Sequence, residues 1–473
     1  MSSAAKVVLG GRTRELLQAD LDRRLTQLPR EVAQWNDSIA ANQDGLGIHT
    51  TQIQALQKMM AGLTTRQQAQ LQTLVAEPDL SVFSNSYYEL LNDLGGTHDL
   101  WRIFRIIFDQ RHDLLLRPLA DISDLIAWDC YRTGLAQAAK WGLLPRDQFR
   151  PPPLTFLESS LTPATASNGE SVETLGFSVR QYRDLMLPLP IVLYPVDQAA
   201  SIWSMSSIAH EVGHNLDHDL DVRPGHRISD EFRKLLIGSV PDSREPQWRR
   251  WMDEIFADAI AVILCGTGFV VSMAGWTLGL GPGRAFGNFD SRAVHPPLFL
   301  RLRLLGQMLI MNQAPFEDAG KEIIALCDKQ NRPAWEAPYE ADTEIIARML
   351  ITQSIDPLGK RALRELNDDL STDQARIAQL ALHFLDSNQQ RPKPDGDLKM
   401  PFRAVPAAAS LAAANMDNPS PTALDALQQR AEAYFSAIPR PNKLAAPEVN
   451  LNFLAELTGR LRFGDLRDHK EDS

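Results

Sequence analysis

Apolar residues recur at three- and four-residue steps along the first part of the chain. Between Arg12 and Asn42, the positions Leu17, Leu21, Leu25, Leu28, Val32, Trp35 and Ile39 share one stripe of a helix, which is the pattern of an amphipathic segment. Pro29 lies inside the run and predicts a bend. The turn-like Asn42-Gln43-Asp44-Gly45-Leu46-Gly47 separates it from a second set, Ile53, Leu56, Met60 and Leu63. Residues 1–80 therefore read as a helical hairpin or small bundle, an appendage for packing or for binding a partner. A second helical block runs from Tyr87 to Trp141 and ends in Gly142 and Pro145. Pro151-Pro152-Pro153 and the Ser/Thr/Gly-rich stretch Ser159 to Thr174 then read as a surface loop.

The period changes at Leu189-Pro190-Ile191-Val192-Leu193-Tyr194-Pro195. Its β-branched centre between two prolines predicts a short edge strand, because proline cannot donate to an interior ladder. Helices are predicted over Ser201 to Asp219, Gln247 to Leu264, Pro297 to Met311 and Phe316 to Lys329, and through Ala341 to Asn388. The Pro- and Ala-rich stretch Arg391 to Pro421 reads as a linker or lid, followed by short helices near Thr422 to Phe435 and Val449 to Arg462. The expected fold class is α+β, predominantly α-helical, with a small sheet. Its expected regions are 1–80, a core at 81–390, and a linker with C-terminal helices at 391–473.

One segment raises a membrane question. Ala259 to Gly283 has no charged residue, yet it holds six glycines and a proline. A buried core helix followed by a Gly-rich loop accounts for it better than a membrane span. With 48 Lys and Arg against 59 Asp and Glu, the net charge of −11 and the absence of a dense basic stretch argue against nucleic acid as a partner. Cys130, Cys265 and Cys327 lie far apart and form no metal-type pair. They read as reduced, buried thiols, which suits a cytoplasmic protein. The start of the chain, Met1 to Gly11, lacks the organisation of a secretory signal.

The chemistry is concentrated in Ser206-Ser207-Ile208-Ala209-His210-Glu211-Val212-Gly213-His214. Here H-E-x-x-H puts two histidines four residues apart on one helical face, where they can bracket a single ion. Histidine is scarce, ten in 473 residues, so a chance match is uncommon. Zinc suits two imidazoles and a carboxylate, and a catalytic zinc keeps three protein ligands with one position open. Downstream, Glu254 and Asp258 stand one helical turn apart. Glu254 can complete the metal site while Asp258 hydrogen-bonds a ligand histidine and fixes its tautomer. Both open an apolar helix, where an unpaired carboxylate would be costly.

Rival assignments fit less well. His218 would sit about 12 Å of helix rise from His210, too far for both to hold one ion. Asp217 is a weaker alternative third ligand. His112 and His226 read as surface or capping residues. Tyr194 at the strand end reads as packing, with an oxyanion donor as its alternative role.

Taken together, H-E-x-x-H at His210 to His214 and E-x-x-A-D-x-x-A at Glu254 to Ala261 resemble the gluzincin metallopeptidases. Val294-His295-Pro296-Pro297, with Arg301 and Arg303 following, resembles a segment of the CAAX-prenyl-protease-like gluzincins. The resemblance spans about a quarter of the chain, from Leu189 to Gln307. It implies a zincin-like catalytic core, one Zn2+ held by His210, His214 and Glu254, Glu211 as general base, and His295 as a stabiliser of the tetrahedral intermediate. Peptide or protein would be the substrate, and an extended peptide could add to the Ile191 to Tyr194 edge. The alternative is a helical interaction or regulatory protein whose metal site is inactive or structural.

Overall fold

The computed structural model describes residues 9–441 apart from 42–48, 145–149, 161, 168–186, 222–225, 280–289, 291, 313–314, 331–332, 387–391 and 393–399. Three long helices open the chain: α1 (Leu9–Ala41), α2 (Thr50–Ala76) and α3 (Leu80–Asp109). The stripe read from the sequence is the face that packs. Leu21 and Leu25 of α1 meet Leu71 and Leu74 of α2 and Phe83, Leu90 and Leu94 of α3. Pro29 lies within α1, and the helix continues past it. Asp79 starts α3 by accepting hydrogen bonds from the Ser81 and Val82 amides, which satisfies donors the helix itself cannot.

The helix α4 (Arg117–Lys140) and a three-stranded sheet follow, with β1 (Leu154–Glu158), β2 (Ala164–Ala166) and β3 (Ile191–Pro195) in the order β1-β3-β2. β1 runs parallel to β3 from Leu154 against Ile191 to Glu158 against Pro195, and β2 is antiparallel to β3. The expectation of an edge strand at Ile191 to Tyr194 is therefore wrong: this strand is the centre of the sheet. Pro190 precedes it and Pro195 ends it, so neither ring removes a donor from the strand interior. β1 and β2 both lie in a region where the sequence suggested only proline-rich chain and loop. Their few residues are too short to display a period.

The outer edge of β1 is closed by side chains. Gln110 donates to the Leu157 carbonyl at 2.6 Å and accepts from the Leu157 amide at 2.9 Å, imitating a neighbouring strand. Asp124 of α4 accepts from the Thr155 amide at 2.9 Å. An edge plugged in this way cannot recruit another strand.

The short α5 (Val196–Ala199) and a 3-10 turn, Ile202–Ser207, lead into α6 (Ile208–Asp219), α7 (Ile228–Leu235), α8 (Glu245–Cys265) and α9 (Thr267–Gly279). Gly266 separates α8 from α9 with φ of 57°, where a β-carbon would also strike the Gln374 side chain. Ala259 to Gly279 is thus two helices rather than a core helix and a loop. The remainder of the predicted loop lies outside the described residues. Among those described, no helix is long and apolar enough to cross a membrane.

Next come α10 (Leu298–Met311), α11 (Glu317–Asp328), α12 (Ala337–Glu340), α13 (Thr343–Thr352), α14 (Leu370–Leu385), α15 (Ala404–Ala414) and α16 (Pro421–Ala437). The helix expected through Ala341 to Asn388 is broken by 3-10 turns around Pro357 and Gly359. The expectation of a linker or lid over Arg391 to Pro421 is also corrected, since α15 is a core helix whose Ala404, Val405, Ala407, Ala408 and Ala409 are fully buried. The predicted helix Val449 to Arg462 lies outside the described residues. The fold is predominantly helical with a small mixed sheet. One large apolar core runs from α4 through α6, α8 and α10 to α16.

Candidate metal centre

Helices α6 and α8 create the site by crossing closely. Ala209, Val212 and Leu216 of α6 point into the core, which turns His210 and His214 towards a groove. From α8, Ile255, Phe256 and Ala259 anchor the opposite face in the same core. His210, His214 and Glu254 each bring one ligand-type atom to a common point, all within 4.8 Å of one another. Glu254 Oε2 lies 3.4 Å from His210 Nε2, and Glu254 Oε1 lies 3.6 Å from His214 Nε2. Tetrahedral zinc with bonds of about 2 Å spaces its ligand atoms by about 3.3 Å.

The residues fit such an ion on a second ground. Glu254 Oε2 is buried and has no hydrogen-bond partner, a costly arrangement for a carboxylate oxygen unless a cation satisfies it. Burial opposes the charge on Glu254, but the imidazoles of His210, His295 and His214 outweigh it and hold the carboxyl far below its usual range.

Behind the ligands, His210 Nδ1 donates to Asp258 Oδ1 at 2.9 Å. That bond leaves Nε2 facing Glu254 and His214, the tautomer a metal ligand needs. Arg301 of α10 in turn grips Asp258 at both oxygens, 2.6 and 2.7 Å, and its Nη2 lies 3.2 and 3.3 Å from the His210 ring nitrogens. Burial and Arg301 both disfavour a charged His210, yet the neighbouring Asp258 and Glu254 carboxylates prevail and raise its pKa to about 9. Burial instead lowers His214 to about 4. The His210 ring also stacks on Phe269 of α9, centroids 6.4 Å apart and 8° from parallel.

Glu211 projects into the same groove between the two ligand histidines, and burial lifts its carboxyl to about 7. His295 sits at the rim, its side chain 59% exposed and its Nε2 3.2 Å from Glu254 Oε1. The groove that joins these residues has a volume of about 1210 Å³. Of the described strands, β2 borders it through Ala164 and Thr165. Asn215 of α6 ties β2 there by donating to Thr165 Oγ1 at 3.1 Å.

The rival residues have other work. Asp217 accepts from the Ser229 amide and hydroxyl, both at 2.7 Å, which fixes α7 against α6. His218 lines the groove but is outside the metal-type group. Tyr194 spends its hydroxyl on the Ser204 carbonyl at 2.9 Å and on Ser207 Oγ at 3.0 Å, so it is a packing residue. His112 and His226 are exposed, and the three cysteines are buried and not disulfide-bonded.

The sequence alone does not mark Arg301 as a partner of Asp258, although Arg301 follows His295 by six residues. Its only signal is a pair of arginines, Arg301 and Arg303, inside the apolar run Leu298 to Leu305, where a buried guanidinium needs an acid. Nor does the sequence mark Asn215 and Thr165, whose meaning appears only once β2 is in place. No protein-family model, no curated protein and no solved structure matches this chain.

Proposed function

We propose that the chain is a zinc-dependent metallopeptidase of the gluzincin kind. The observation that carries this reading is the convergence of His210, His214 and Glu254, with a buried Glu254 oxygen lacking any hydrogen bond, beside the Glu211 carboxyl in an open groove. Bound zinc supplies Lewis acidity and lowers the pKa of a water to near neutrality.

The chain's own groups divide the remaining tasks. Glu211, raised towards neutral pH by burial, takes a proton from the attacking water and returns it to the departing amine. Asp258 and Arg301 hold His210 in one tautomer and one orientation. His295, exposed at the rim, donates to the oxygen that becomes negative. An extended substrate adds to β2 rather than to Ile191 to Tyr194, because β3 is already paired on both sides. Three buried cysteines, none in a disulfide, favour a cytoplasmic setting. The helices α1 to α3 offer a surface for a partner.

The test is zinc content and peptide hydrolysis measured together on the full chain. Stoichiometric zinc with cleavage that Glu211→Gln abolishes supports the reading. A zinc-loaded wild type that cleaves nothing leaves a structural metal site in a helical interaction protein.

A further inference from the structure

The groove is chemically two-sided. Near Asp217 and Glu254 its lining includes the charged Arg227 and Asp253, which approach each other to 3.5 Å. On the other side, starting at the Phe269 ring stacked on His210, it is lined by Trp203, Met273 and Trp276 with Ala413 and Ala414. This apolar side is built from α9, α15 and the 3-10 turn that carries Trp203, elements outside the H-E-x-x-H and Glu254 helices. At Gly268 a β-carbon would lie 2.5 Å from the Ala407 α-carbon, so the two helices meet almost backbone to backbone. One turn on, Ser272 and Ser410 both donate to the Trp203 carbonyl, at 3.2 and 2.6 Å. A further turn brings Trp276 and Ala414 to the groove.

The result is a trough between a wall of large apolar side chains and a low wall of alanines. From Phe269 to Trp276 is seven residues of helix, about 10 Å of rise. Helix α9 is apolar almost all round: Phe269, Val270 and Ala274 are buried, whereas Met273 and Trp276 remain partly exposed. Large apolar groups held half-exposed beside a reactive centre gain free energy when a ligand covers them.

We propose that this trough is the side-chain subsite that selects the substrate, admitting a bulky aromatic or aliphatic residue close to the scissile bond. The inference rests on the metallopeptidase reading and gives its substrate class: peptides with a large apolar side chain at one position next to the cleaved bond and polar residues on the other side. Ala413 and Ala414 set the width of the trough, and Trp276 sets its far wall.

Binding and cleavage are read separately. The zinc-loaded Glu211→Gln chain is titrated by calorimetry with short alanine-serine peptides, either plain or carrying one phenylalanine walked along the sequence. The phenylalanine peptide with the best placement binds at least about tenfold more tightly than the plain peptide, since burial of a phenyl group supplies that much. Adding Ala414→Trp, at an exposed helix end where the new ring fills the trough, removes most of this advantage, and Trp276→Ala weakens it. Equal affinity for both peptides, or an advantage that Ala414→Trp leaves intact, overturns the subsite. Wild-type chain is then given the same peptides. A phenylalanine advantage in binding without hydrolysis retains the trough and overturns the peptidase reading, whereas hydrolysis indifferent to phenylalanine does the reverse. Absence of both overturns both.

Discussion

Gly213 lies against the backbone of Ala257: a β-carbon at position 213 would sit 2.8 Å from both the Ala257 α-carbon and its carbonyl oxygen. Gly213 stands between the ligands His210 and His214, and Ala257 stands between Glu254 and Asp258. The contact therefore sets how near the glutamate can come to the histidines. Backbone atoms cannot swing aside as a flexible side chain can, so any substituent must push α6 and α8 apart.

Gly213→Ala is accordingly expected to damage the metal site. Overpacking of this kind costs about 1–3 kcal/mol, which urea unfolding of the zinc-free protein would register as an earlier midpoint. Zinc affinity should fall as well, because a separation of a few tenths of an ångström is shared by all three ligands. An unchanged midpoint with unchanged affinity would show that the helix crossing is set elsewhere.

The metal-site residues should rank in a definite order. Glu254→Ala removes a ligand and is expected to give protein that purifies with little zinc. Asp258→Ala frees His210 from its hydrogen bond and should cost about ten- to a hundredfold in affinity. His218→Ala should keep stoichiometric zinc. Metal analysis after dialysis checks the order, and a loaded Glu254→Ala beside an empty His218→Ala would reverse the ligand assignment.

Mutation of His295 separates a rim donor from a ligand. His295→Ala should lower kcat by about a hundredfold, the usual scale for a lost oxyanion donor, with metal content unchanged. Loss of zinc in this variant would make His295 a ligand.

The pH dependence follows from Glu211. Burial raises its carboxyl from 4.5 to about 7, and a bound cation favours the ionised form and draws the value back down. A general base must be ionised, so kcat/KM should fall on the acid side with a midpoint between 4.5 and 7. A rate that is flat across this range would remove Glu211 from the proton-transfer step.

Stability at acid pH should report on a buried cluster beneath the sheet. Arg111 binds Asp124 at 2.7 and 3.0 Å, and His49 Nε2 approaches the same carboxylate at 3.3 Å. Although burial opposes it, Arg111 and His49 hold the Asp124 carboxyl well below its ordinary 3.8. A depressed folded-state value stabilises the fold at every pH above the unfolded value and loses that contribution as pH falls below 3.8 towards the folded one. Asp124→Ala leaves Arg111 buried without its acid and should cost about 3–5 kcal/mol at neutral pH. Urea unfolding at neutral pH and in strong acid checks this, since the gap between wild type and variant should narrow in acid.

The parts of this architecture that were legible in the sequence are those where one chain segment carries the whole signal. His210, Glu211 and His214 declare themselves by spacing, and the stripes of α1 and α2 by period, because a helix repeats its face every few residues. Glu254 was legible because it immediately precedes the apolar run Phe256 to Leu264. The sheet was misread because prolines at 190 and 195 resemble edge markers until the strand ends are known, and because β2 has only three residues. Helix α15 was misread because alanine is weakly hydrophobic by composition. Its role comes from being small enough for Gly268 to touch Ala407. Arg301 meets Asp258 across 43 residues, a relationship that no local pattern encodes.

The central claim is that Glu211 and a zinc ion at His210, His214 and Glu254 together hydrolyse peptide bonds. Its most direct test is the release of new N-termini from a peptide mixture by full-length wild type and Glu211→Gln, each first loaded to one zinc per chain. The account predicts that wild type generates new termini, and that the variant, retaining its zinc, generates none. Equal release by both proteins, or none by the zinc-loaded wild type, would contradict it.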